Sequence, residues 1–347
     1  MNPKTYLIQQ LNNSIAELGL PGRDPQVSPT RDPQFGDLST NLPLTLAKQL
    51  RRKPLEIAAE IKASLTNNLD DSIIASVTIT APGFINFNIS NDYYRSIIPL
   101  IIGSDSDFGC SSTGSGKTAN VEFVSANPTG PLTVGHGRQA VLGDTVANIL
   151  EWHGYDVTRE YYFNDAGRQM RLLGQSVSAR YFQEIGQDIE LPEDGYQGQY
   201  IRDIAKAIRI ELGDELKADN PVFRKSAEDQ IFADIKNSLA KLGINHKVFT
   251  NEKDFYESGA IKQTVADLRA KNLVYETDGA TWFKTTALGK EQDRVLIKSS
   301  GEPTYRLPDI DYHRDKLKRN FDLIIDLFGA DHMDSYPDVI AALKALD

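Results

Sequence analysis

The chain has 347 residues, enough by the usual prior of roughly 100–200 per domain for two or three domains with cores of their own. Its 38 Lys and Arg against 48 Asp and Glu leave a net charge of −10, which excludes a nucleic-acid binder working by bulk electrostatics and requires any such contact to be local. A single cysteine, Cys110, excludes an intramolecular disulfide framework; with no charged-then-apolar leader and no apolar run near the roughly 20 residues that span a bilayer, a soluble cytoplasmic protein without a membrane partner is expected.

Residues 1–110 read as a separate small α+β domain. Leu7, Leu11, Ile15 and Leu18 recur at helical spacing, and Gly19 stops that helix. A loop with Pro21, Pro25, Pro29 and Pro33 follows, then a segment from Asn41 to Leu50. Its end carries Lys48, Arg51, Arg52 and Lys53, open to reading as a local nucleic-acid contact or as a solvated helix end. Pro54 opens a helix through Leu65, with Leu55, Ala58, Ala59 and Ile61 expected on its apolar side. Val77 to Ile79 and Phe84 to Ile89 alternate like strands about the turn Ala81-Pro82-Gly83. Gly103 to Thr118 is rich in Ser, Gly and Asp, and residues 111–118 are expected to form a linker. Within it, Gly114-Ser115-Gly116-Lys117-Thr118 looks like the end of a phosphate-binding loop. That motif needs a glycine where Ser111 stands and a helix, not a strand, after it.

The most informative stretch comes next. Ala119 to Ser125 reads as a buried strand, Asn127, Pro128, Gly130 and Pro131 as a turn-rich crossing, and Gly135-His136-Gly137-Arg138 as the first turn of a helix. Small residues at Gly135 and Gly137 let a triphosphate approach the backbone, and the helix start supplies free N–H groups with about half a unit of positive charge. A nucleotide is the expected ligand. Leu142, Val146, Ile149 and Leu150 mark one face of that helix, His153 lies in its last turn and Gly154 ends it. Val157 to Phe163 is a second strand, making a strand–helix–strand crossover with a site at the strands' carboxyl ends. Asn164 to Gln169 opens another helix, with Asn164 or Asp165 as N-cap or in a supporting role near the site.

Residues from about 185 to 300 interrupt the sheet with helices (Tyr200 to Leu212, Ser226 to Leu242) and short strands (Val248-Phe249, Ala280 to Lys284, Arg294 to Lys298). Tyr305 stands four residues before Asp309, a spacing that shares one face if the segment is helical, and Pro308 places it near a helix start. Asp322 to Phe328 is an apolar strand run ending in Gly329-Ala330-Asp331-His332, and Pro337 to Leu346 is an amphipathic helix. Asp331 and His332 alone make weak evidence for a metal site, and none is expected.

Strand, Asn-Pro, then x-x-Gly-His opening a helix resembles the His-Ile-Gly-His signature of class I aminoacyl-tRNA synthetases, represented here by Thr133-Val134-Gly135-His136. With Glu122 five residues before Asn127 and Gly-His-Gly-Arg after it, the fuller string resembles the arginyl-tRNA synthetase family, as do FGDLSTNLPLTLAKQL, APGFINFNI, GYQGQY and KTTALGKEQDRVLIKSSGEPTYRLPD. Thr133 departs from the signature: its hydroxyl can bond a phosphate or ribose oxygen but carries no charge.

The resemblance implies an α/β protein. A Rossmann-like nucleotide-binding core with a connective insertion is preceded by a small α+β domain that contacts the elbow of the tRNA. The divisions are 1–110 for the added domain, 111–118 for the linker, 119–185 for the first half of the core, 186–300 for the insertion and 301–347 for the start of the second half. Implied partners are tRNA(Arg), L-arginine and ATP with Mg2+ as substrate, with no tightly bound cofactor and a monomeric chain. Thr133, Gly135 and His136 are the implied catalytic group. A pocket for a guanidinium needs a carboxylate able to accept two parallel N–H bonds, and Glu122 and Asp309 are the candidates, with Tyr305 flanking the guanidinium plane. Ser125 and Asn127 would hold the amino acid's backbone end, His136 is a further implied arginine contact, and Asp331 would border both pockets. Pro128, Thr133, Gly135, His136, Gly137, Gly329, Asp331 and His332 are the expected ATP contacts. The family continues with a Lys-Met-Ser-Lys-Ser-like loop and an anticodon-binding domain, so this chain is expected to be an N-terminal piece, weak or inactive in adenylation alone. Two rivals are a non-catalytic tRNA-binding protein, which would bind tRNA without ATP or arginine, and a tRNA-independent nucleotidyltransferase, which Glu122, Tyr305 and Asp309 together oppose.

Overall fold

The computed structural model describes residues 2–165 and 167–346, the side chain of Asp331 lying outside the described part, and divides into two compact units, Met1–Gly109 and Cys110–Asp347. The first unit runs α1 (Pro3–Glu17), β1 (Val27–Pro29), β2 (Leu38–Thr40), α2 (Leu42–Leu50), α3 (Pro54–Thr66), β3 (Ile74–Thr80), β4 (Phe84–Ile89) and α4 (Asn91–Ser104). Its sheet has the order β1-β2-β4-β3, all antiparallel, and its core joins Leu7, Leu11 and Ile15 of α1 to Ile57, Ile61 and Leu65 of α3 and to Ile85 and Phe87 of β4. The apolar side of α3 is rotated from expectation: Ile57 is buried, whereas Leu55 and Ala59 are exposed. Lys48, Arg51 and Lys53 are exposed and Arg52 pairs with Glu60, which leaves both readings of this basic run open.

The second unit carries two sheets. Its elements are β5 (Thr118–Glu122), α5 (Val134–Trp152), β6 (Asp156–Phe163), α6 (Gly167–Glu184), α7 (Gln199–Leu212), α8 (Val222–Lys241), β7 (Val248–Asn251), α9 (Glu252–Glu257), α10 (Ala260–Ala270), β8 (Val274–Thr277), β9 (Ala280–Phe283), β10 (Arg294–Ile297), α11 (Arg306–Lys318), β11 (Leu323–Asp326) and α12 (Tyr336–Leu346). The core sheet has the order β11-β5-β6-β7 and every pair in it is parallel. A smaller antiparallel sheet, β10-β9-β8, packs with α10, α11 and α12 around a second cluster containing Leu268, Phe283, Leu296 and Ile310.

Three expectations change. Val248-Phe249 does not belong to an uninterrupted insertion from 186 to 300: it begins β7, which pairs with β6 from Glu160↔Val248 to Phe163↔Asn251 and extends the core sheet. A half-buried strand of four residues has no periodicity long enough to reveal its partner. Residues 111–117 are not a free linker. Ser111 donates its amide to the Trp152 carbonyl and Gly114 to that of His153, and Gly114 sits so close to Tyr155 that a Cβ there would lie 2.1 Å from the ring. The segment is thereby pinned on the end of α5, with His153 Nδ1 2.7 Å from the Ser111 hydroxyl. Finally, α5 does not bury Leu142 and Ile149, which are 55% and 52% exposed; it buries Ala140, Gly143 and Ala147. A Cβ on Gly143 would fall 2.1 Å from Phe123 Cγ, so the helix lies directly on the strand and only small residues fit the contact.

Candidate functional site

All four strands of the core sheet end at one cavity of about 600 Å3. Glu122 closes β5 at its rim, Tyr162 and Asn164 stand at the end of β6, Glu252 follows β7, and Leu327 and Phe328 follow β11. This is where parallel α/β sheets place ligands, because helix starts and strand ends converge there and the connections leave a crevice. Tyr305, Asp309, Tyr312 and His313 close the cavity from α11.

The β5–α5 crossing is held by side chains, not by a ladder. The chain leaves β5 through Val124 and Ser125 at φ of 71° and 45°, a left-handed stretch uncommon for any residue with a side chain and costly for a β-branched one. Tyr161 steadies it, its hydroxyl accepting from the Ala126 amide at 3.1 Å and donating to the Ala126 carbonyl at 2.7 Å. The Ser125 hydroxyl donates to Glu122 Oε1 at 2.8 Å and accepts from the Tyr162 amide at 3.1 Å. Asn127 Oδ1 accepts from the Asn164 amide at 3.0 Å, and its Nδ2 donates to Gln169 Oε1 at 3.2 Å.

Helix α5 then begins one residue earlier than its glycines suggest. Thr133 is its N-cap, accepting from the His136 amide at 3.4 Å, while His136 Nδ1 accepts from the Thr133 amide at 3.1 Å. This reciprocal pair is a capping box in which histidine takes the usual place of Glu or Gln. Because Nδ1 accepts, the neutral ring carries its proton on Nε2, the nitrogen left to donate to a ligand. No side chain lies within 4 Å of a Cβ built on Gly137, and Gly135 meets only Thr133 Oγ1 at 3.5 Å, so the first turn is open to an approaching anion.

The α11 side is acidic and aromatic. Burial pushes the Asp309 carboxyl up to about 7, with Glu252 and Glu122 adding to the rise and His313 and Lys316 opposing it. Glu252 is likewise raised by burial, against the donors Tyr162 at 3.0 Å and Asn164 at 2.7 Å. Tyr162 stacks on Tyr312, ring centroids 4.1 Å apart. Beneath them Lys316, 0% exposed, bonds both Glu122 and Asp326, and His313 bonds Asp326 at 3.2 Å. Burial alone would raise Asp326, but His313 and Lys316 outweigh it and hold the group well below the usual carboxylate range. Glu122, His313 and Asp326 offer ligand atoms within 4.8 Å of one another, yet two of the three already bind the Lys316 ammonium.

The cavity therefore gathers Glu122, Ser125, Asn127, Thr133, Gly135, His136, Tyr305, Asp309, Gly329 and His332 from the sequence-derived candidates. Pro128 and Gly137 do not line it, and Asp331, whose side chain is outside the described residues, stays unplaced. The Asn164 side-chain amide donates to Glu252, and the position preceding α6, on which the expected cap bears, lies outside the described residues. Sequence reasoning passed over Tyr162, Glu252, Tyr312, His313 and Lys316. Only the two residues after the Tyr-x-x-x-Asp pair at helical spacing, Tyr312 and His313, carried a readable signal.

Parallel strands ending at a cavity into which a capped helix start also opens define a nucleotide-binding core, and residues 98–333 match the family described as tRNA synthetases class I (R), catalytic domain. Residues 5–89 match the arginyl tRNA synthetase N terminal domain, and the chain belongs to the arginyl-tRNA synthetase family. It is 51% identical over 313 residues to the arginine–tRNA ligase of Desulfotalea psychrophila, an alignment covering 90% of this chain and 56% of the relative. It is 48% identical over 351 residues to that of Chlorobium phaeobacteroides, covering 99% and 63%. The chain thus spans less than two thirds of the length of these relatives. Among solved structures it is similar to a Campylobacter jejuni protein assigned as an arginyl-tRNA synthetase, with TM-score 0.68 and 34% identity over 74% of this chain and 57% of that one. The Plasmodium falciparum arginyl-tRNA synthetase, 17% identical at TM-score 0.68 over 99% of this chain and 62% of its own, shares the fold. Among the described residues no helix is long and apolar enough to cross a membrane.

Proposed function

We propose that this chain carries the arginine- and ATP-binding part of an arginine–tRNA ligase, which joins L-arginine to ATP as arginyl-adenylate and passes the arginyl group to tRNA(Arg). The observation that carries the reading is the half-buried Asp309 carboxyl sharing one cavity with the open first turn of α5. Asp309 answers the guanidinium with two parallel bonds, Tyr305 flanks it, and Glu122 supplies a further acceptor. Ser125 and Asn127 hold the amino acid's backbone end. His136 and the amides of α5 face the triphosphate, which Mg2+ accompanies as part of the substrate, and Gly329 and His332 border the adenosine.

The chemistry asks for positioning and charge, not for a strong base. A carboxylate oxygen of arginine bonds to the α-phosphorus, the bond from that phosphorus to the oxygen bridging to the β-phosphate breaks, and pyrophosphate leaves. Charge builds on the phosphoryl oxygens, where His136 Nε2–H and the helix start can donate. The 2′-hydroxyl of the terminal adenosine then displaces AMP from the adenylate. The first unit, matching the family's N-terminal domain, is read as the tRNA-contacting module, and the protein is read as a monomer working in the cytoplasm.

Arginine-dependent ATP–pyrophosphate exchange, with and without tRNA, on this chain and on one extended to the length of its relatives, tests the proposal. Exchange that requires arginine supports it. Absence of exchange in both chains, with tRNA still bound, would replace it with a non-catalytic tRNA-binding role.

A further inference from the structure

Glu122 and Asp326 are the last residues of β5 and β11 and stand opposite each other in the parallel register. Two carboxylates facing across adjacent strands repel, the more so away from water, and a sheet that keeps both needs a cation between them. Lys316 supplies it. Its ammonium, wholly buried, bonds Glu122 Oε2 and Asp326 Oδ1 and lies 4.2 Å from the centre of the Tyr312 ring. Glu122 is thereby held at both oxygens, Oε2 by Lys316 and Oε1 by the Ser125 hydroxyl. Asp326 is occupied by Lys316 and His313 together. Asp309, one helical turn before His313, has no cation bonded to its carboxylate among the described residues.

We infer that Lys316 is a positioning residue for the arginine pocket: it fixes Glu122 as an oriented, charge-compensated acceptor and leaves Asp309 as the carboxylate whose charge answers the guanidinium. The inference rests on the proposed arginine-binding function and deepens it by dividing the labour between the two acids. A pocket with every carboxylate uncompensated would be a general cation trap. With Glu122 and Asp326 sharing the Lys316 ammonium and Glu252 held by the neutral donors Tyr162 and Asn164, Asp309 is the lining carboxylate left to answer the cation, which favours one guanidinium in one orientation.

Lys316 also favours the charged form of Asp309, from the same helix as His313, while Glu122 from β5 and Glu252 from α9 disfavour it. Tyr162 on β6 and Tyr256 on α9 face the same carboxylate, and His136 and His332 line the cavity. Loss of Lys316 therefore moves Asp309 toward its neutral form. A residue that merely filled space would leave that ionisation alone.

The test combines a crystal structure of Lys316→Met with calorimetric arginine and ATP binding by the unaltered and variant chains between about pH 6 and 9, thermal unfolding serving as the fold control. The variant is expected to swing Glu122 away from Ser125, to bind arginine about tenfold more weakly or worse near neutrality, to regain part of that loss at higher pH, and to keep its ATP affinity. If Lys316→Met does not fold, Lys316→Gln, which keeps a hydrogen-bonding end without the charge, is expected to show the same alkaline displacement of the arginine profile. A folded variant with Glu122 in place and an unchanged arginine profile would overturn the inference. If the unaltered chain binds no arginine while Glu122 still moves in the variant, the functional reading falls and the Lys316–Glu122 relation stands.

Discussion

The amide of Asp309 donates to the carbonyl of Tyr305 at 3.2 Å, which sets the two side chains one turn apart at the start of α11, and both line the same cavity. Tyr305 is 58% exposed and Asp309 half-buried, so on the proposed reading a planar cation passes the phenol to reach the carboxyl. Asp309→Asn keeps the shape and removes the charge. It is expected to raise the arginine requirement of pyrophosphate exchange on the order of 100-fold while changing the ATP requirement by less than about threefold. Equal effects on both substrates would remove Asp309 from the arginine pocket.

Acidity should act on arginine and on the empty fold in opposite senses. Folded Asp309 titrates at about 7 against an ordinary 3.8, so the folded chain retains a proton that the unfolded chain releases. Its contribution to stability is complete below its unfolded value and is lost as pH rises through about 7. On the proposed reading arginine needs the carboxylate, so its binding is expected to expel that proton at acid pH. The melting-temperature gain from saturating arginine is expected to grow from pH 6 to pH 8, and calorimetry at pH 6 in buffers of different ionisation enthalpy should show release approaching one proton. Asp309→Asn should abolish both trends.

Thr133 and His136 cap each other at the start of α5, and the two variants should separate their roles. Thr133→Ala removes the cap and is expected to cost about 1 kcal/mol in denaturant unfolding. His136→Ala should leave a folded chain whose exchange rate, in the form extended to the relatives' length, falls about 100-fold, since on the proposed reading the lost donor meets charge that develops only during transfer. A drop confined to ATP affinity, with the rate preserved, would make His136 a binding residue alone.

Gly143→Ala tests how closely α5 lies on its strand. The added Cβ would meet Phe123 at 2.1 Å, so helix and sheet must separate, at an expected cost of about 1–3 kcal/mol in chemical denaturation. Gly137→Ala, with nothing within 4 Å of the new Cβ, should leave stability nearly unchanged.

Some of the site was legible because its signals are local. The Asn-Pro crossing, the paired glycines around His136 and the four-residue step from Tyr305 to Asp309 each sit within one turn or one loop, where spacing alone sets which side chains meet. The face of α5 was misjudged for a related reason. Large apolar residues signal burial in isolation, but here Ala140, Gly143 and Ala147 form the contact because the strand beneath offers no room for more.

What the sequence determined by itself was the order of elements from β5 through β6 and the glycine-flanked helix start, with Glu122 and Asp309 as the acids proposed for a guanidinium. Those depend on neighbours in the chain. The tertiary structure alone decided that β7 joins the core sheet, that Glu252 reaches the cavity, and that a buried Lys316 stands between Glu122 and Asp326. Lys316 and Glu122 are separated by 194 residues, and the attraction that pairs them outweighs the cost of desolvating three charges only in a fold that sets both strands side by side.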